Sequence, residues 1–151
     1  MTMSLLLAAG LMLGAAAAAQ VPPVDHVVRV DHDSGPVDAR YNGNVAMTYR
    51  QVGATAPGGR PSTLRCLWSA DMVVDRQARA ISGSTLARSF SRQAVMNGSR
   101  HGWCDAHRAA IDQEVAARRD DLHGHVRAMA AEDHEILRHE IDRLHTPVRT
   151  G

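Results

Sequence analysis

Apolar residues along the chain change period twice, and those changes divide it into elements. Asp25 to Asp31 is rich in Val, with His26, Val28 and Val30 on one side, and reads as a short strand. Asp33-Ser34-Gly35-Pro36 is a turn signal. Beyond it Val37, Ala39 and Tyr41 alternate with Asp38 and Arg40, and after Asn42-Gly43-Asn44 Val45, Met47 and Tyr49 alternate with Ala46, Thr48 and Arg50. A hairpin closed by a three-residue loop at Asn42-Gly43-Asn44 would pair Tyr41 with Val45, Ala39 with Met47 and Val37 with Tyr49. All six would then lie on one face, as a half-buried antiparallel sheet requires. Residues 51 to 62 carry Gly53, Pro57, Gly58, Gly59 and Pro61 and read as a loop. Leu64, Cys66, Trp68, Ala70, Met72 and Val74 then define another strand, with Asp71 and Asp75 out of phase and solvated.

The period lengthens further on. Residues 84–97 fit a helix with Ser84 as cap, Leu86, Phe90 and Ala94 on one face and Gly98 as its stop. As a strand, the same stretch would place Arg88 and Arg92 on the face of Leu86 and Phe90. From Asp105, a plausible N-cap, to His145 the period is helical: Val115, Leu122, Val126, Met129, Ile136 or Leu137, Ile141 and Leu144 recur on one stripe, and Pro147 ends it. Unbroken, this helix would be about 60 Å long, against roughly 35–40 Å for a domain of this size. Either it breaks at Gly124 or its second half projects. The stripe keeps its phase through Gly124, which favours one continuous helix whose projecting half forms a homodimer through 105–145; interruptions at Arg118 and Asp133 make that coiled coil imperfect. The fold expected is α+β: a small antiparallel sheet of about three or four strands, mainly within 20–75, followed by a helical region.

Ahead of the first strand, Leu5 to Ala19 is an uncharged run of Leu, Ala, Met and Gly. It is short for a membrane span and suits a signal-peptide core, with Ala17, Ala18 and Ala19 as the cleavage site. The absence of Lys and Arg before Leu5 departs from the usual signal. No Cys follows the run and no twin Arg precedes it, which favours general secretion to the periplasm or beyond. One domain, 20–151, would remain, with no membrane span once the signal is removed.

Export changes how the two cysteines are read. Cys66 and Cys104 would pair in an oxidising compartment, with Trp68 and Trp103 shielding the bridge. Their separation rules out a C-x-x-C redox pair. With aromatics at 3%, the core is thin and a covalent tie matters more.

Net charge is +1, and all 17 basic residues are Arg, so nothing directs the chain to nucleic acid. Six of the nine His lie between His107 and His145. His134-Glu135-Ile136-Leu137-Arg138-His139 approaches the H-E-x-x-H zinc pattern, but the second His is one residue late and Arg138 stands at the ligand position. Asp121 with His125 and Glu135 with His139 are spaced one helical turn apart, and His123 flanks Gly124; these could hold Zn or Cu weakly or be surface ion pairs. No phosphate loop and no nucleophile elbow is legible, and no catalytic residue or cofactor is assigned. The leading expectation is a non-catalytic interaction or structural module that self-associates through its last helix. The alternative is a periplasmic protein binding Zn or Cu through its His-rich helix.

Overall fold

The computed structural model describes residues 20–58 and 61–145. The proposed signal segment and Pro147 lie outside them. Four strands form one antiparallel sheet in chain order: β1 (Val24–Val30), β2 (Val37–Val52), β3 (Arg65–Arg79) and β4 (Thr85–His101). Two helices, α1 (Cys104–Ala117) and α2 (Arg119–His145), cover one face. The α+β class, the four-stranded sheet and the long last helix agree with the sequence pattern.

The hairpin expected at Asn42-Gly43-Asn44 does not form. β2 runs straight through it, with Gly43 opposite Val24 of β1 and Val74 of β3. A three-residue loop and an uninterrupted strand both leave Tyr41 and Val45 on the same side, so alternation could not separate them. Asn42 is held within the sheet, its amide donating to Asp25 Oδ1 at 2.7 Å. Gly43 is required for closeness, since a Cβ there would sit 2.4 Å from Val126 Cγ2 of α2 and 3.1 Å from Met72 Sδ. We predict that Gly43→Ala lowers stability by about 1–3 kcal/mol through overpacking, readable as a lower urea midpoint at unchanged slope.

The helix expected over 84–97 is likewise a strand. Arg88 and Arg92 do face inward with Leu86 and Phe90, but α2 supplies them with carboxylates: Arg88 reaches Asp133 at 2.6 Å and Arg92 reaches Glu132 at 2.6 Å. The guanidinium of Arg88 also lies over the Phe90 ring, 5.3 Å from its centre. Pairing partners Ala70↔Met96 and Met72↔Arg92 bracket a bulge in β4. At its centre Ala94 has φ 49° and donates its N–H to Asp71 Oδ1 at 2.8 Å. Gly98 stops no helix; it makes room for Trp68, whose ring would lie 2.8 Å from an added Cβ.

The continuous helix expected over 105–145 does not form: the stretch breaks at Arg118 (φ −87°, ψ 40°), one of the two residues that interrupt the stripe, and not at Gly124. The Arg118 N–H bonds to Val115 O, and its carbonyl accepts from Leu122 N–H, so the break leaves these groups satisfied. It also resolves the length conflict, because α2 alone is about 40 Å long. Ile111, Val115, Leu122, Val126, Met129, Leu137 and Ile141 are buried in a core shared with Val24, Val37, Tyr41, Met72 and Val74. Most of the stripe offered to a partner chain is therefore spent on the protein's own sheet, while Ile136 and Leu144 remain exposed.

Cys66 and Cys104 form the disulfide, tying the start of β3 to the first residue of α1. Trp68 is buried, but Trp103 is 57% exposed and shields little. Trp103 also takes the N-cap place expected of Asp105, with no side-chain cap bond.

Candidate interaction site

Between sheet and helices lies a charged cluster, none of whose members was marked out as a site. Arg76 of β3 and Asp133 of α2 are only 1% and 2% exposed. Arg76 Nη1 donates to Asp133 Oδ2 at 2.8 Å and Nη2 donates to Glu140. Asp133 also accepts from Arg88 at 2.6 Å and from the Tyr41 hydroxyl at 3.2 Å. Burial, then the neighbouring Asp133 charge, pushes the Tyr41 phenol above its usual range, so it stays a neutral donor. Two cations and two carboxylates satisfy one another, apart from a buried Arg76 Nε with no partner. This geometry locks α2 onto three strands and leaves no nucleophile or base free.

The histidines are dispersed. His123 Nε2 lies 3.0 Å from the Asp25 carbonyl and its ring meets His26 edge-on, with centres 6.0 Å apart. Asp121 pairs with Arg118 at 2.9 Å. His125 and His134 are half-buried on α2, and Glu135 and His139 are exposed. Among the described residues no three His, Cys, Asp or Glu side chains come together as a metal site. At the other end of β1, His32 Nε2 meets Asp142 at 2.8 Å and its ring stacks on His145.

These contacts give a pH dependence with a definite sign. Burial, then His123 and Arg127, holds His26 below its ordinary pKa of 6.5. The unfolded chain then binds the proton more readily, so this contribution to stability is full above pH 6.5 and is lost as pH falls below it. Asp142, lowered by its bond to His32, weakens the fold only on acidification below the ordinary carboxylate value of 3.8. We predict that His26→Gln loses less stability than the wild type between pH 7.5 and 5.5 in urea titrations; equal losses would remove His26 as the cause.

Sheet edges offer a different kind of site. An unpaired edge is a template for another strand unless something blunts it. β4 is blunted by its bulge and by inward Arg88, Arg92 and Arg100, the last paired with Glu114. β1 has seven residues and follows Pro22-Pro23, which cannot donate to a ladder. It therefore pairs β2 only from Val37 to Gly43. From Asn44 to Val52, the β1 side of β2 has no strand partner among the described residues. This stretch has no Pro, no acidic residue and no bulge, and its one charge is Arg50.

A groove of about 1010 Å³ adjoins that edge. Val45, Met47 and Tyr49, all half-buried, form its floor, and Pro22, Arg108 and Asp112 stand on its walls. The Tyr49 hydroxyl donates to Asp112, and Arg108 lies over its ring, 5.0 Å from the centre. Burial, then the Asp112 hydrogen bond, raises the Tyr49 phenol above its usual range. The floor is fixed by these contacts, yet its apolar atoms remain in reach of solvent. Sequence reasoning picked out Val45, Met47 and Tyr49 as core, and only the short reach of β1 shows that they are incompletely covered.

Among the described residues no helix is long and apolar enough to cross a membrane. Comparison with models of protein families, with curated proteins and with solved structures gives no match, so the geometry alone carries the functional argument.

Proposed function

We propose that this is an exported, non-catalytic module that acts by association. The observation that carries this reading is the contrast between edges: β4 is blunted and β1 stops after seven residues, which leaves Asn44–Val52 of β2 open beside a groove with an apolar floor. The saturated charge cluster behind the sheet serves as scaffold, since each of its carboxylates is already committed to Arg or Tyr. Association through the helical stripe, the sequence-based expectation, has little surface left to use. The disulfide and the apolar run before Gln20 support a site of action outside the cytoplasm.

Native mass spectrometry of the chain recovered from the periplasm of an expressing bacterium tests this. The expected species begins at Gln20, has lost two hydrogens to the Cys66–Cys104 bond, and appears as a complex with itself or another protein. A chain starting at Met1 with free thiols would defeat the export reading. A stoichiometric Zn or Cu on a monomer would favour the His-rich helix instead.

A further inference from the structure

We propose that the open edge of β2 takes the same edge of a second copy, antiparallel about a two-fold axis at Thr48. This deepens the association reading and rests on it.

Length is the first argument. β1 covers Val37–Gly43 of β2 and stops. A twofold pairing centred on Thr48 sets Asn44 against Val52, Val45 against Gln51, Ala46 against Arg50 and Met47 against Tyr49, filling the whole remaining stretch. The second copy's strand would end opposite Asn44, where β1 begins opposite Gly43. Its next residue, Gly53, has φ +83°, the left-handed conformation that turns the chain out of the row.

Chemistry is the second. The residues that face the helices pair with one another, Met47 with Tyr49 and Val45 with Gln51, so the apolar floors of the two grooves become continuous. The single charge of the stretch, Arg50, falls opposite Ala46, so no like charges oppose across the join. Val21 packs against the core, and Gln20 to Pro23 line the groove together with Arg108 and Asp112 of α1, on the face that the helices cover. The product is a continuous eight-stranded sheet, with all four helices on one face.

Position 48 tests both the surface and the register. Thr48 is exposed on the uncovered face, so the folded chain accepts a longer side chain there. Sedimentation velocity of the oxidised chain from Gln20 onward, at about 50 µM, should show a dimer, an affinity of about micromolar being enough for this. Thr48→Lys sets two ammonium groups against each other at the axis and should raise the dimer dissociation constant about tenfold or more. Mixing the Thr48→Lys and Thr48→Glu chains should restore dimers, and Thr48→Cys should cross-link without reshuffling Cys66–Cys104. A monomeric wild type, or a Thr48→Lys chain as dimeric as the wild type, overturns the proposal. Amide exchange separates that failure from failure of the association reading. If the wild type is monomeric but its Asn44–Val52 amides become protected on adding an alternating Val/Thr peptide, the edge binds strands of another protein.

Discussion

Asp133→Ala is expected to lower the unfolding free energy by about 3–5 kcal/mol, the cost of leaving a buried charge without its partner. Arg76 is 1% exposed and cannot turn to water. With Asp133 gone it keeps only Glu140, while Arg88 and the Tyr41 hydroxyl lose their shared acceptor. Against a net stability of about 5–15 kcal/mol, that is a large fraction. Urea unfolding followed by Trp68 and Trp103 fluorescence measures it. Combining Asp133→Ala with Arg76→Met should destabilise by clearly less than the sum of the single changes, because the second removes the charge the first strands. A loss below about 1 kcal/mol for the single variant would mean that water reaches the cluster, as for an exposed pair.

The same cluster explains what was legible in the sequence and what was not. Asp133 stood out only as a flaw in an apolar stripe, and Arg88 and Arg92 only as reasons against a strand. Each judgement treats its element alone. Two faces, each interrupted by opposite charge, can pack when the interruptions meet, and Asp133 with Arg76 and Arg88 does this. A charge on the apolar side of a predicted strand is therefore weaker evidence against that strand when a later helix carries its complement.

Other misses have different causes. The hairpin at Asn42-Gly43-Asn44 failed because parity is the same for a three-residue loop and for a straight strand. Only the third dimension distinguishes them, through the closeness of Val126 to Gly43. The interruption at Arg118 is visible in the stripe, but the unbroken phase beyond it favours a continuous helix, because periodicity alone does not register a one-residue kink between two helices that face the same sheet. Inside α2, Gly124 costs little and nothing crowds it. The open edge of β2 has no local signature: it follows from β1 being shorter than its neighbour, which Pro22-Pro23 enforces. The disulfide was legible because only one pairing is possible between two cysteines.

Removing that disulfide is the second large effect. The Cys66→Ser/Cys104→Ser double variant should be less stable than the oxidised wild type by about 4 kcal/mol in the chain-entropy model for a loop of this length. The enclosed segment contains most of the β3–β4 hairpin, so in the unfolded chain the bond restrains the two strands that must find each other. In the folded chain it sets α1 at the start of β3, where the Gln51 side chain joins the same corner. Gln51 Oε1 accepts from Cys104 N–H at 2.8 Å, and Nε2 donates to the Gly102 carbonyl at 3.1 Å. Neither bond uses a cysteine sulfur, and reduction of the wild type, which buries no Ser hydroxyl, isolates the covalent tie. Reductant should shift the wild-type urea midpoint toward that of the double variant and leave the variant unmoved. If the midpoints coincide even under oxidising conditions, residual pairing of β3 with β4 in the unfolded chain already supplies the restraint. The aromatic-poor core would then be holding the fold on its buried charges and close Gly43–Val126 packing, and the export compartment would matter for where the protein acts and not for whether it folds.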